Sequence, residues 1–186
     1  MKKTLLATAF IASSFLATAN AADYVVDTAG AHASINFKIQ HIGFSWLTGR
    51  FNTFDGSFSY DENNIAASKI VINIDTTSVD TNHAKRDKHI RTGDFLDTNK
   101  FATAKFVSTK IEDKGNGALA ITGDLTLHGV TKSLVLDANK IGEGKDPWGG
   151  YRIGFSATTQ ITMKDFGIDS NFGDISFDLH IEGIRK

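Results

Sequence analysis

Chemistry-bearing residues gather in one stretch of this sequence, residues 80–95, which reads D-T-N-H-A-K-R-D-K-H-I-R-T-G-D-F. His83, Asp87 and His89 offer metal-ligating atoms there. On a helix His83 and Asp87 share a face at i, i+4, but His89 lies two positions further on and points elsewhere. At most two ligands converge, short of the three or four that zinc uses, so no metal site is expected. Arg86, Asp87 and Arg91 have a second use, because guanidinium and carboxylate groups form directional, charge-assisted pairs. The chain shows no G-x-S-x-G elbow, P-loop, G-x-G-x-x-G turn or H-E-x-x-H pair, and no spacing of Ser, His and Asp implies a triad. No catalytic residue and no cofactor is therefore assigned. The other conspicuous group is aromatic. Its 14 Phe, 2 Trp and 3 Tyr form either an ordinary core or the lining of an elongated apolar pocket.

The charged stretch permits a helix. Asp80, Thr81 or Asn82 can accept a hydrogen bond from an orphan N–H at its start, and Gly93 can take the left-handed conformation at its end. About three turns fit between them. Only Ala84 and Ile90 are apolar inside it, so the helix has no stripe to bury and is marginal alone. It needs anchoring from outside: Arg86 and Asp87 are expected to pair and close one end of the fold, with Arg91 as a further handle. Phe95 and Leu96 just beyond can plug into a core.

Around this segment the chain alternates with period two, the mark of strands with one buried face. Ala33, Ile35, Phe37, Ile39 and His41 share one parity; Phe54, Gly56, Phe58 and Tyr60 share another after a bulge near Asn52-Thr53. Ile70, Ile72 and Ile74 follow, then a segment over 105–111, then Leu119 to Leu127, Leu134 to Ala138, Tyr151 to Ile161, and Ile175 to Ile181. These are eight strands, antiparallel because their connections are too short for crossovers. Residues 43–49 and 142–150 read as loops, the latter because Pro147 lacks an N–H. Eight long strands with one apolar face close economically into a barrel. The expected fold is all-β: an extended antiparallel eight-stranded β-barrel with one short helical insertion. Lys38, Lys69, Lys132, Asp124 and Asp178 are expected on its outer face, the reverse of an outer-membrane barrel. Phe37, Ile39, Phe58, Ile72, Leu125, Phe155 and Phe177 should face one another inside. Phe44, Trp46, Phe95 and Trp148 fall in predicted loops, where a barrel's ligand gate would lie.

The first residues read as an export signal: Lys2-Lys3, an apolar run from Leu5 to Leu16, and Ala19-Asn20-Ala21 before a cleavage after Ala21. Residues 22–186 are then one domain. Of 20 basic and 21 acidic residues, removal of Lys2 and Lys3 leaves 18 against 21, a net of −3 that repels nucleic acid. With no cysteine, stability rests on a packed interior rather than on disulfides.

His32-x4-Phe37-x3-His41-x-Gly43, Gly49-Arg50-Phe51, Ser78-Val79-Asp80-Thr81, Arg86-Asp87-x-His89-Ile90-Arg91, Asp94-Phe95 and Gly123-Asp124-Leu125-Thr126-Leu127-His128-Gly129-Val130-Thr131 together resemble the YceI family of bacterial periplasmic proteins. The resemblance covers essentially the whole mature chain. It implies a lipocalin-like barrel that holds a polyisoprenoid chain. This points to a periplasmic, stress-related carrier of a polyprenyl or quinone lipid in transient contact with membranes. The alternative is a periplasmic enzyme or redox accessory acting on such a substrate. Monomer and homodimer both stay open.

Overall fold

A computed structural model describes residues 21–169 and 172–186; the export segment expected over residues 1–21 lies outside them except for Ala21. Eleven strand segments and one helix follow in order: β1 (Ala22–Val26), β2 (Ser34–His41), β3 (Ser45–Phe51), β4 (Phe54–Tyr60), β5 (Lys69–Asp75), β6 (Val79–Asp80), α1 (Ala84–Ile90), β7 (Thr103–Gly115), β8 (Ala118–Leu127), β9 (Val130–Lys145), β10 (Tyr151–Thr162) and β11 (Asp174–Arg185). Every pairing is antiparallel, and the order β1-β4-β5-β7-β8-β9-β10-β11 closes because β11 returns to β1. β2, β3 and β6 prolong three of these strands. β2 continues the row of β1 along β11, β3 continues β4 along β2, and β6 continues β5 along β3. The eleven segments thus make eight rows of one closed barrel, as the alternation predicts.

Several details depart from the sequence reading. β1 adds a strand where none is expected, and Ser45–Phe51 is a strand rather than a loop. β9 runs through Gly142 and Gly144 as far as Lys145, which confines the proline to the turn that follows. The break between β3 and β4 falls at Asn52-Thr53, where the parity of Phe51 requires a bulge. Lys132 pairs with Leu125 and so has the inward parity rather than the expected outward one, yet it is exposed. Lys38, Lys69 and Asp178 are exposed on the outer face.

The helix is shorter than three turns and starts later. His83, not one of residues 80–82, caps α1: its Nδ1 accepts from Arg86 N at 3.1 Å. Asp80 is occupied in β6, and its carboxylate accepts from Asn82 N and Asn52 Nδ2. The left-handed residue after the helix is Asp97, with φ 42°, not Gly93.

Inside the barrel, aromatic rings lie on glycines. A Cβ on Gly123 would come 2.3 Å from Phe106 Cζ, and one on Gly49 would come 2.3 Å from Phe37 Cζ. Removing the side chain at these inward positions makes room for a ring from the facing strand.

Candidate functional site

The inward parity of all eight rows lines a single elongated cavity of about 470 Å³. Phe37 and Ile39 reach it from β2, Phe58 from β4, Ile72 from β5, Leu125 from β8, Phe155 from β10 and Phe177 from β11. Phe106, Ile121, Leu136 and Ile181 line it as well. Their strand parity alone would have found them. Phe37, Leu125, Phe155 and Phe177 point inward yet are only half buried. Opposite walls stand too far apart for side chains to fill the space, so the barrel encloses a tunnel rather than a solid core.

The two ends of the tunnel differ. At one end rings crowd together: Tyr24 stacks on Phe58 at 5.0 Å, and Phe155 meets Phe58 and Tyr60 edge-on at 5.9 and 5.4 Å. Lys140 lies over the Tyr60 ring at 5.4 Å and donates to Glu143 at 2.7 Å and to Glu62 at 3.1 Å. Burial works against its charge, but the Glu143 and Glu62 hydrogen bonds prevail and hold the ammonium above the usual lysine range. Burial likewise pushes the Tyr60 phenol up.

At the other end the lining residues Gln40, His41, His89 and Phe172 remain exposed, and this end is the mouth. The segment from β6 to β7 forms one side of it. Arg86, His89, Ile90, Phe95 and Leu96 all face the tunnel there. Arg86 and Asp87 are not bonded to each other; both converge on buried Thr81. Arg86 donates from Nε to Thr81 Oγ1 at 2.7 Å and from Nη2 to Thr81 O at 2.8 Å. Buried Asp87 accepts from Thr81 N at 2.9 Å and from the Thr81 hydroxyl. Arg91 donates to Thr77 O at 2.7 Å and Val79 O at 2.6 Å, tying the helix to the end of the β5–β6 row. These are the outside anchors that a polar helix needs.

Phe44 and Trp46 do not line the tunnel. They stand at the tip of the β2–β3 hairpin, 86% and 55% exposed. Trp148 is at the far end, in the turn between β9 and β10. Phe95 is half buried, 6.0 Å from Phe172 and edge-on to His89 at 5.1 Å. His83, Asp87 and His89 do not converge: His83 caps α1, Asp87 holds Thr81, and His89 Nε2 bonds Asp94 at 2.9 Å.

A polar constellation that spacing does not reveal lies outside the barrel. Asp27, His32 and Glu182 come within reach of one another, and the Arg152 guanidinium occupies the space between them. Its Nη1 donates to Asp27 at 2.5 Å and Glu182 at 2.6 Å, and its Nε to Asp146 at 2.8 Å. The His32 hydrogen bond first, then Arg152 and the Gly30 N–H, lower the Asp27 carboxyl from 3.8 to about 2 despite its burial. This clasp holds the break between β1 and β2 against β10 and β11. Its five participants come from three distant stretches of the chain, around residues 27–32, 146–152 and 182, so no local motif announces it.

A YceI-like domain model matches residues 24–183. A UPF0312 protein of Vibrio cholerae is 58% identical over 191 residues, with the whole of both chains covered. Among solved structures, a Campylobacter jejuni YCEI protein is 31% identical with a TM-score of 0.71, covering 80% of this chain and 91% of that one. A polyisoprenoid binding domain from Saccharophagus degradans, implicated in plant cell wall breakdown, has a TM-score of 0.64 at 15% identity, covering 90% of this chain and all of that one.

Proposed function

The chain belongs to the YceI-like domain family, and from that premise we propose that it binds and carries a long isoprenoid lipid, of polyprenyl or quinone type, inside its barrel. The observation that carries this reading is the tunnel: an elongated cavity walled by apolar side chains from all eight rows, with its exposed lining at one end. Such a space suits a flexible hydrocarbon with one polar end. Each methylene taken out of water contributes roughly 0.8 kcal/mol, so several prenyl units outweigh the cost of ordering the chain. The polyisoprenoid binding domain of the same fold supports the ligand class. Of the titratable groups that line the tunnel, His41, Arg86 and His89 gather at the mouth and Tyr60 lies at the ring-crowded end, so the polar end of a lipid would sit at the mouth while its tail lies inside.

The protein works outside the cytoplasm in this reading, released from its Lys2-Lys3 and Ala19-x-Ala21 export segment. N-terminal sequencing of the fractionated protein should begin at Ala22. Mild purification followed by lipid extraction and mass spectrometry should return an isoprenoid. Protein that carries none and takes up neither added polyprenyl nor quinone compounds refutes the carrier role. Turnover of such a compound by the purified protein would favour the enzyme alternative.

A further inference from the structure

The tunnel's apolar lining does not stop at the mouth. Ile42 and Phe44 project from the hairpin tip at 70% and 86% exposure, Trp46 is 55% exposed and Phe172 47%. Ile175 pairs with Ile39, so the segment that carries Phe172 enters β11 beside the strand that ends at the β2–β3 turn. Phe172 in turn contacts Phe95, which lines the tunnel. A continuous apolar surface therefore runs from the interior onto the rim.

The turn residue itself is informative. Ile42 and Gly43 have φ of 53° and 79°, left-handed values that suit Asn and Gly and disfavour a β-branched residue. Neither backbone geometry nor folding calls for isoleucine there, and exposure of its side chain is unfavourable in water. The β2–β3 hairpin that carries the tips has no carboxylate: between Asp27 and Asp55 the chain holds Lys38 and Arg50 but no acidic residue. Lys38 stands 4.9 Å from the centroid of the Trp46 ring, and Lys85 and Lys88 are exposed on α1. Asp94 is engaged by His89, Asp97 by Lys100, and Asp87 is buried. Asp165, Asp169 and Asp174 are exposed on the Phe172 side, so the basic charge belongs to the hairpin and α1, although the mature chain is net acidic.

We infer that this rim, with the β2–β3 hairpin as its wedge, docks on an anionic phospholipid bilayer and presents the tunnel mouth to the acyl chains. The inference rests on the carrier reading for its purpose and on the rim's chemistry for its substance. Convex apolar tips flanked by an indole and lysines match the interfacial layer of a bilayer, where aromatic rings settle and basic side chains meet anionic headgroups. A lipid leaving the tunnel would then pass from one apolar medium to another without crossing water.

The two tryptophans, at opposite ends of the barrel, make the test direct. Mature Trp148→Phe protein keeps Trp46 as its only reporter; Trp46→Phe protein keeps Trp148. With vesicles of phosphatidylglycerol and phosphatidylcholine bearing brominated acyl chains, Trp46 emission should shift to the blue and be quenched, and Trp148 emission should not change. Vesicles of phosphatidylcholine alone, or high salt, should weaken the association several-fold. An Ile42→Asp, Phe44→Asp variant should bind anionic vesicles at least tenfold more weakly while native mass spectrometry finds its lipid content equal to the parent's. Unquenched Trp46, equal quenching of both reporters, or undiminished binding by the double variant overturns the inference. So does a concentration-dependent dimer that the double variant abolishes, which would make the rim an interface between copies. Insertion of Trp46 by a protein that carries no isoprenoid would sustain docking and overturn the carrier role alone.

Discussion

Asp27 and Asp87 are both buried carboxylates held by hydrogen bonds, and each makes a prediction of its own. The folded-state pKa of Asp27, about 2, lies below the ordinary value of 3.8, so folding favours its ionised form. Stability from this group is complete above about pH 4 and is lost as the pH falls through 2. Arg152→Met should partly flatten that acid limb by removing one of the two side chains, after His32, that hold the carboxylate ionised, a difference that melting curves at pH 2 to 6 would reveal. Asp87→Ala leaves the buried N–H and hydroxyl of Thr81 without their acceptor, which costs about 1–3 kcal/mol and should lower the denaturant midpoint accordingly. An unchanged midpoint would show that water replaces the carboxylate. Sequence reasoning locates Arg86, Asp87 and Arg91 as anchors but mistakes how they act. Adjacent residues on a helix do not face each other, so Arg86 and Asp87 can meet only through a third group. That group is Thr81, supplied by the segment before the helix.

Strands with one apolar face are legible from period two alone, and Ile35, Ile72, Ile121 and Leu179 all face the tunnel as their parity predicts. Glycine is where the reading of elements goes astray. Gly43 and Gly49 bracket an apolar stretch and so suggest a loop, yet only Gly43 is in the turn. Gly49 is a strand residue whose missing side chain makes room for Phe37. The same holds at Gly123, where an added methyl would collide with Phe106 Cζ at 2.3 Å and with Val107 O at 2.7 Å. Gly123→Ala should therefore cost about 1–3 kcal/mol by overpacking, read as a lower melting temperature with the far-ultraviolet circular dichroism of the fold retained. A neutral outcome would mean that the Phe106 ring has room to move into the tunnel. β1 escapes sequence reading for another reason. Five residues are too short a run for alternation to stand out, and the residues they pair with on β4 and β11 lie more than 30 positions away along the chain.

At the scale of the molecule, alternation establishes that a barrel has an inside but not how wide it is. Side-chain period reports which way a residue faces, whereas the distance between opposite walls depends on strand number and tilt. Hence a filled core and a lined tunnel read alike in sequence, and only the half-buried state of inward residues such as Phe155 and Phe177 separates them. The central claim is that this tunnel holds an isoprenoid. Leu125 and Lys105 test it on opposite faces of the same wall, since Phe106 pairs with Leu125 and Lys105 with Thr126, one register step apart. Leu125→Asp puts an unpaired carboxylate into an apolar space, while Lys105→Asp changes only the exposed outer face. Native mass spectrometry of the parent and both variants, each shown to be folded by circular dichroism, is the most direct measurement. The account predicts an isoprenoid adduct on the parent and on Lys105→Asp that is lost from folded Leu125→Asp. A parent with no adduct even after incubation with polyprenyl and quinone compounds, or an adduct that survives Leu125→Asp undiminished, would contradict it.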